Sequence, residues 1–304
     1  MRISTQQIFD GGAARMGDVQ TALDKLRQQV ATGRRMLSPS DDPVAAARAL
    51  EIAQSQSINA QYADNRIQVR NSLGLVDGAL AGVTDLLQDV RSAVVSADNP
   101  TFTDSSRTAL ATELSARFQG LLNLANATDG TGNYLFSGFQ SDTRPFVETA
   151  TGASYHGDTG QQLVQVDTSR RMAMSNSGQS IFQGGGQDIF QTLKDLIGLL
   201  QTPVATPAAQ TALASGLAAG LSDIDLAMTN ISTVRASVGT RMQEVESLDH
   251  AGSSRNIQYS AALSDIQDLD YTQALTQLSL QQTALEAAQQ SFVKTANLSL
   301  FNYL

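Results

Sequence analysis

The chain contains no cysteine and no tryptophan. The first absence excludes disulfides, thiolate nucleophiles and every zinc site built on cysteine. The second, with 10 phenylalanines and 6 tyrosines in 304 residues, leaves little bulky material for a thick globular core and favours slender helical packing. Basic charge is scarce too: 20 Lys plus Arg stand against 29 Asp plus Glu, a net charge of -9, and no basic run could neutralise a phosphate backbone. Nucleic acid is therefore excluded as a partner. No apolar stretch approaches the roughly 18 residues needed to cross a bilayer, and no basic amphipathic face suits anionic lipid, so membrane insertion is not expected. The opening MRISTQQIFDGG has neither an apolar h-region nor a cleavage site, which predicts that any export bypasses a cleaved signal peptide.

What is present is helical periodicity. Phe9, Met16, Val19, Leu23, Leu26 and Val30, with Gly12 among them, fall three and four apart on one seam of a first helix. Gly33 offers the left-handed C′ conformation that stops it, and Arg34 and Arg35 follow as cations near its C-terminus. A second helix begins where Asp42 can cap and Pro43 can take the first helical position. It is predicted to run to about Ala97, with Val69, Leu73, Val76, Leu80, Val83, Leu87, Val90 and Val94 as an unbroken apolar seam. A third helix is predicted from about Ser105 to Asn126. Between about Asp142 and Gly186 the periodicity vanishes, and QLVQVDT and RMAMS read as short strands. Helix resumes from about Asp188 to Leu200, and a second long seam runs from Leu217 to Val245 with Arg235 as its charged member. A last helix from about Tyr271 keeps Leu278, Leu285 and Phe292 seven apart, with Leu275 beside them. The chain then closes on Leu298, Leu300, Phe301, Tyr303 and Leu304, an apolar tip where a polar tail is usual.

These segments predict a mainly α fold: a long antiparallel coiled-coil helical rod with paired terminal helices and a small β-rich inserted domain. The expected division is 1–40 with 265–304 as a terminal coiled-coil domain, 41–140 with 184–264 as a helical rod domain, and 141–183 as the β-rich outer domain. The terminal stripes are short and rich in Gln and Ala. Alone they bury too little to offset ordering costs of about 1–2 kcal/mol per residue, so they call for neighbouring subunits.

Chemistry is not encoded in any recognisable pattern. His156 and His250 stand in a predicted β loop and on a predicted helix surface with no Glu at zincin spacing, and are read as structural or solvent-exposed. Asp41 and Asp42 suit helix capping better than metal binding, because the local ligand count is too low for a hard cation. Gly184, Gly185 and Gly186 lack the Lys-Ser/Thr of a phosphate loop and read as a junction. No catalytic residue, cofactor site or metal site is assigned, and the reading is not that of an enzyme. A wall-cutting hydrolase would need a convergent acid pair; a generic coiled-coil adaptor would not account for the apolar tip.

Three blocks carry a resemblance. ISTQQIF, VATGRRMLSPSDDPVAAARAL (Val30 to Leu50) and LSDIQDLDYTQALTQLSLQQTALEAAQQSFVKTANLSLFNYL (Leu263 to Leu304) resemble the ends of the bacterial flagellin superfamily. GNYLFSGFQSDTRPF (Gly132 to Phe146), Pro43 after Asp41-Asp42 and the ending LSLFNYL are more similar to the hook-filament junction branch than to flagellin itself. The resemblance implies a structural flagellar subunit whose termini form the inner tube of an assembly. It implies as partners hook-associated protein 1 on one side, flagellin on the other, further copies of the chain in a ring, and an export chaperone with the type III export apparatus. It implies an extracellular location. The alternative within the family is flagellin, the bulk filament subunit. The residues expected at the assembly interface are Phe9, Met16, Val19, Leu23, Leu26, Val30, Leu275, Leu278, Leu285, Phe292, Leu298, Leu300, Phe301 and Leu304, and the family motif falls on Gly33, Arg34, Asp41, Asp42 and Pro43.

Overall fold

The structure is a computed structural model that describes residues 2–99 and 101–297. Its elements in chain order are α1 (Arg2–Thr32), α2 (Pro43–Ala97), α3 (Asp104–Ala125), β1 (Phe146–Thr149), β2 (Gly152–Tyr155), β3 (Leu163–Asp167), β4 (Arg170–Ala173), α4 (Gly178–Phe182), α5 (Ile189–Gln201), α6 (Pro207–Gln267) and α7 (Tyr271–Asn297). Short polar side chains start the helices by taking up otherwise orphaned backbone donors. Thr103 Oγ1 accepts from Ser106 N at 3.2 Å before α3, and Asp188 Oδ1 accepts from Phe190 N at 2.9 Å before α5. Thr206 Oγ1 accepts from Ala209 N at 3.1 Å, with Pro207 in the first position of α6. Gly33, at φ 68°, ends α1.

The described chain divides into two units, residues up to Asn59 with those from Ser254 onward, and Ala60–Ser253. In the second unit the eight seam residues of α2, Val69 to Val94, are all 0% exposed. On α6, Leu217, Ile224, Ile231, Val238 and Val245 are buried at every seventh position, the spacing that keeps one face of a helix against its neighbour. The direction of pairing is fixed by ion pairs. As the α2 partner steps back from Arg91 through Asp77 to Arg66, the α6 partner advances from Asp225 through Arg235 to Asp249, so the two helices are antiparallel. Arg235, the charged member of the α6 seam, thus reaches Asp77 at 3.0 Å instead of interrupting the core. α3 lies antiparallel to α2, with Gly82 against Leu124 and Gly120 against Leu86, and α5 packs on α3.

Two separate antiparallel hairpins complete the unit. The β3–β4 hairpin falls on the two segments whose alternation predicts strands. The β1–β2 hairpin and the single-turn α4 lie in the same stretch without an alternation that marks them, because β1 has only Phe146 buried. Five phenylalanines from different segments converge here: Phe118 on α3, Phe136 in the loop, Phe146 on β1, Phe182 on α4 and Phe190 on α5, each at most 1% exposed. Phe146 is central, with ring centroids 5.4 Å from Phe182 and 5.0 Å from Phe190. Half of the scarce phenylalanine is spent on this one core.

Candidate assembly surface

The first unit is built differently. α1 and α7 pack on each other, but the buried apolar residues of the whole described unit are Leu23, Leu26, Ala49 and Ala274. Along the predicted seam, Met16, Val19 and Val30 of α1 and Leu278, Leu285 and Phe292 of α7 are half-buried. Gly12 permits the approach of Phe292, since a β-carbon there would sit 3.2 Å from the ring. Leu275 is 51% exposed, and Ala274 at 3% takes the inward place. Leu280 and Val293 on α7 are also more than half exposed, at 65% and 56%. Leu298, Leu300, Phe301 and Leu304 lie outside the described residues, as does the side chain of Phe9.

The family-motif residues meet at the joint that turns α1 into α2 and α6 into α7. Arg34 bridges Asp268 in antiparallel fashion; Arg35 N donates to Gln267 O at 2.8 Å and Leu269 N donates to Gly33 O at 3.0 Å. The Arg35 guanidinium donates to Ile266 O at 3.1 Å, a cation on the carbonyl end of α6 where the helix dipole favours it. Asp41 accepts from Leu37 N at 2.9 Å and Ser38 N at 3.1 Å and pairs with Lys25 at 2.7 Å. The Lys25 ammonium first, then those two amides, hold its carboxyl down at about 2. Asp42 Oδ1 accepts from Ala45 N at 3.0 Å, the capping role expected ahead of Pro43. Asp270 Oδ1 caps α7 in the same way, accepting from Thr272 N at 2.9 Å and Gln273 N at 3.1 Å. Gly33 has a second reason to be glycine, because a β-carbon there would lie 2.9 Å from the Tyr271 hydroxyl.

This arrangement supplies shape and apolar area rather than reactive groups. Among the described residues no group of three or more His, Asp or Glu is placed to hold a metal ion, and no helix is long and apolar enough to cross a membrane. His156 is exposed and shares a hydrogen bond of 2.9 Å with Ser154 Oγ. Gly185 and Gly186, at φ 72° and 87°, make the turn between α4 and α5. A residue that apolar periodicity passes over is Arg66: it stands three places before Val69, in register with the α2 seam, yet its side chain is 1% exposed.

The pattern of the bacterial flagellin N-terminal helical region matches residues 3–141, and that of the C-terminal helical region matches residues 221–304. The chain belongs to the bacterial flagellin family. Within it, flagellar hook-associated protein 3 of Escherichia coli and that of Salmonella typhimurium are each 34% identical over 315 aligned residues, covering 99% of this chain and 99% of theirs. Among solved structures, a proposed flagellar hook-associated protein of Vibrio parahaemolyticus superposes with a TM-score of 0.69 at 27% identity, over 75% of this chain and all of the other. The member described here is a structural component of the flagellum. The two flagellin regions leave residues 142–220 between them, which hold both hairpins, α4 and α5.

Proposed function

We propose that the chain is the hook-filament junction subunit, joining hook-associated protein 1 to flagellin as a ring of copies that assemble through their terminal helices outside the cell. The observation that carries this reading is the end-to-end similarity to flagellar hook-associated protein 3, over 99% of both chains. The terminal pair supports it, because half-buried seams on α1 and α7 leave apolar surface for neighbours to complete. On this reading the termini order as subunits stack, so assembly is coupled to folding and waits until the type III apparatus and its chaperone deliver the chain. The terminal coiled-coil, the helical rod and the β-rich outer segment then divide the work among inner tube, wall and outer surface.

Electron microscopy of flagella from a strain lacking the protein tests the junction role. Bare hooks with flagellin shed into the medium are expected, and intact filaments would overturn it. The second reading, flagellin itself, is favoured by the match of both termini to flagellin regions. Copy number separates the two: a single ring per flagellum for a junction, thousands for a filament.

A further inference from the structure

Arg66 occupies a place where the α2 seam calls for leucine. Leu73, Leu80 and Leu87 recur every seven residues and are all 0% exposed, as are Val69, Val76, Val83 and Val90, and seven places before Leu73 stands Arg66. On α6 the series Leu221, Met228, Arg235 and Met242 reaches, seven places on, Asp249. The two seams therefore meet in one charged layer, with Arg66 Nε donating to Asp249 Oδ1 at 2.5 Å. Groups outside the seams complete it: Val166 O accepts from Arg66 Nη1 at 2.9 Å, and Gly252 leaves the guanidinium its room. A buried pair of this kind adds little stability over apolar residues of similar volume, and its best-attested use in paired helices is to fix which partner and which register are accepted.

The competing partner is α2 itself. A seam that repeats Leu and Val every seven residues does not distinguish α6 from α2 of a second copy, which laid parallel and in register would bring the same residues to the same layers. Flanking charge does not prevent this. One side of the seam is lined by Arg70, Asp77, Thr84 and Arg91, the other by Ser72, Ala79, Leu86 and Ala93, a row without charge; in a parallel pair the first row of one helix faces the second row of the other. From residue 66 to residue 94, Arg66 is the one charged member of the seam. In an α2–α2 pair it would meet a second Arg66 with no carboxylate in the layer, whereas against α6 it meets Asp249. We infer that Arg66 selects the partner of α2 as the chain folds, admitting the chain's own α6 and rejecting α2 of a second copy.

The inference is independent of the junction role and of the terminal helices, whose contribution is common to every chain compared. Full-length wild-type chain, Asp249→Ala and the double variant Arg66→Met with Asp249→Leu are unfolded in urea and refolded by dilution over a range of concentrations. Size-exclusion chromatography with light scattering gives the oligomer fraction, and circular dichroism checks the helix content of each. The double variant should refold with an oligomer fraction raised about tenfold or more over wild type and growing with concentration, because the charge that an α2–α2 pair would bury without a partner is gone. A spin label on Gln68→Cys, in a chain with no other cysteine, should read a distance between copies within about 30 Å, two helix diameters and the label arms. Asp249→Ala keeps Arg66 and loses its partner, so it should unfold at lower urea yet stay as free of oligomers as wild type. If the double variant does not fold, Arg66→Gln with Asp249→Asn, an uncharged pair, takes its place with the same expectation. A folded uncharged variant no more oligomeric than wild type would overturn the inference. So would an equal rise in Asp249→Ala, since lost stability and not the charge of Arg66 would then be the cause, and so would oligomers whose labels lie farther apart, which another surface would have built.

Discussion

Asp249→Ala should be among the most damaging single changes in the second unit. Arg66, with its side chain 1% exposed, donates through Nε to Asp249 Oδ1 at 2.5 Å and through Nη1 to Val166 O at 2.9 Å. Val166 is the irregular residue between Gln165 and Asp167 where the β3–β4 register shifts, so its carbonyl is available to a side chain. Gly252 makes the room, since a β-carbon there would lie 2.5 Å from Arg66 Nη2. Removing one partner of a buried pair leaves an uncompensated charge and costs about 3–5 kcal/mol. Asp249 is 28% exposed and Arg66 keeps the Val166 carbonyl, both of which soften the loss, while Arg70, 3.3 Å from the same carboxylate, adds a second unpaired cation. The lower end, about 3 kcal/mol, is the expected value. Urea unfolding followed by helical circular dichroism measures it as a shift in midpoint at constant slope. The double variant Arg66→Met with Asp249→Leu should be no worse than the single one and recover part of its loss, because apolar replacement of a buried pair is often neutral while the orphaned Val166 carbonyl still costs about 1–3 kcal/mol. If Asp249→Ala costs less than about 1 kcal/mol, a typical figure for an exposed pair, the guanidinium is not held as a buried charge and the reasoning fails.

Three further outcomes are expected. Asp41 is held at about 2 against an ordinary 3.8, so its contribution to the joint is complete above pH 3.8 and disappears as pH falls toward 2. Amide exchange at Leu37 and Ser38 should rise over that window, and Lys25→Met should move the carboxyl's titration by NMR back toward 3.8. Gly33→Ala forces a β-carbon into the left-handed region and against the Tyr271 hydroxyl, so a loss of about 1–3 kcal/mol is expected in thermal unfolding, with the first unit's helices affected before the second's. Deleting Leu298–Leu304 should leave the second unit folded, with its melting transition intact, while abolishing entry into flagella in a motility assay; filament growth by the truncated chain would remove any assembly role for those residues.

Helix boundaries were almost fully legible because their signals are local. Asp42 ahead of Pro43 marks a start through a hydrogen bond from Ala45 N three residues on, Gly33 marks an end through its own left-handed backbone, and the α2 seam from Val69 to Val94 announces its buried face by spacing alone. The joint residues were legible only as a motif. That Asp41 closes on Lys25 joins residues 16 apart across the turn, and that Arg35 closes on Ile266 O near the end of α6 joins residues 231 apart. Arg66 went unread because periodicity counts apolar residues, and a charged member of the seam is indistinguishable from an exposed one until its partner is known. On α7, spacing allows either Ala274 or Leu275 to lie inside, since i−4 and i−3 from Leu278 share its face. In the structure the alanine is the buried one, at 3% exposed against 51% for Leu275.

The sequence by itself determined that this chain is helical, that its helices pair through heptad seams, where most of them begin and end, and that no cysteine chemistry organises it. Those properties follow from composition, turn chemistry and the 3.6-residue period, all of which act over a few residues. Only the tertiary structure decided that five distant phenylalanines form one core, that the β1–β2 hairpin exists beside it and that Arg66 is a buried charge. Each of these depends on contacts between segments far apart in the chain, where packing and desolvation, rather than local propensity, settle which side chain goes inside.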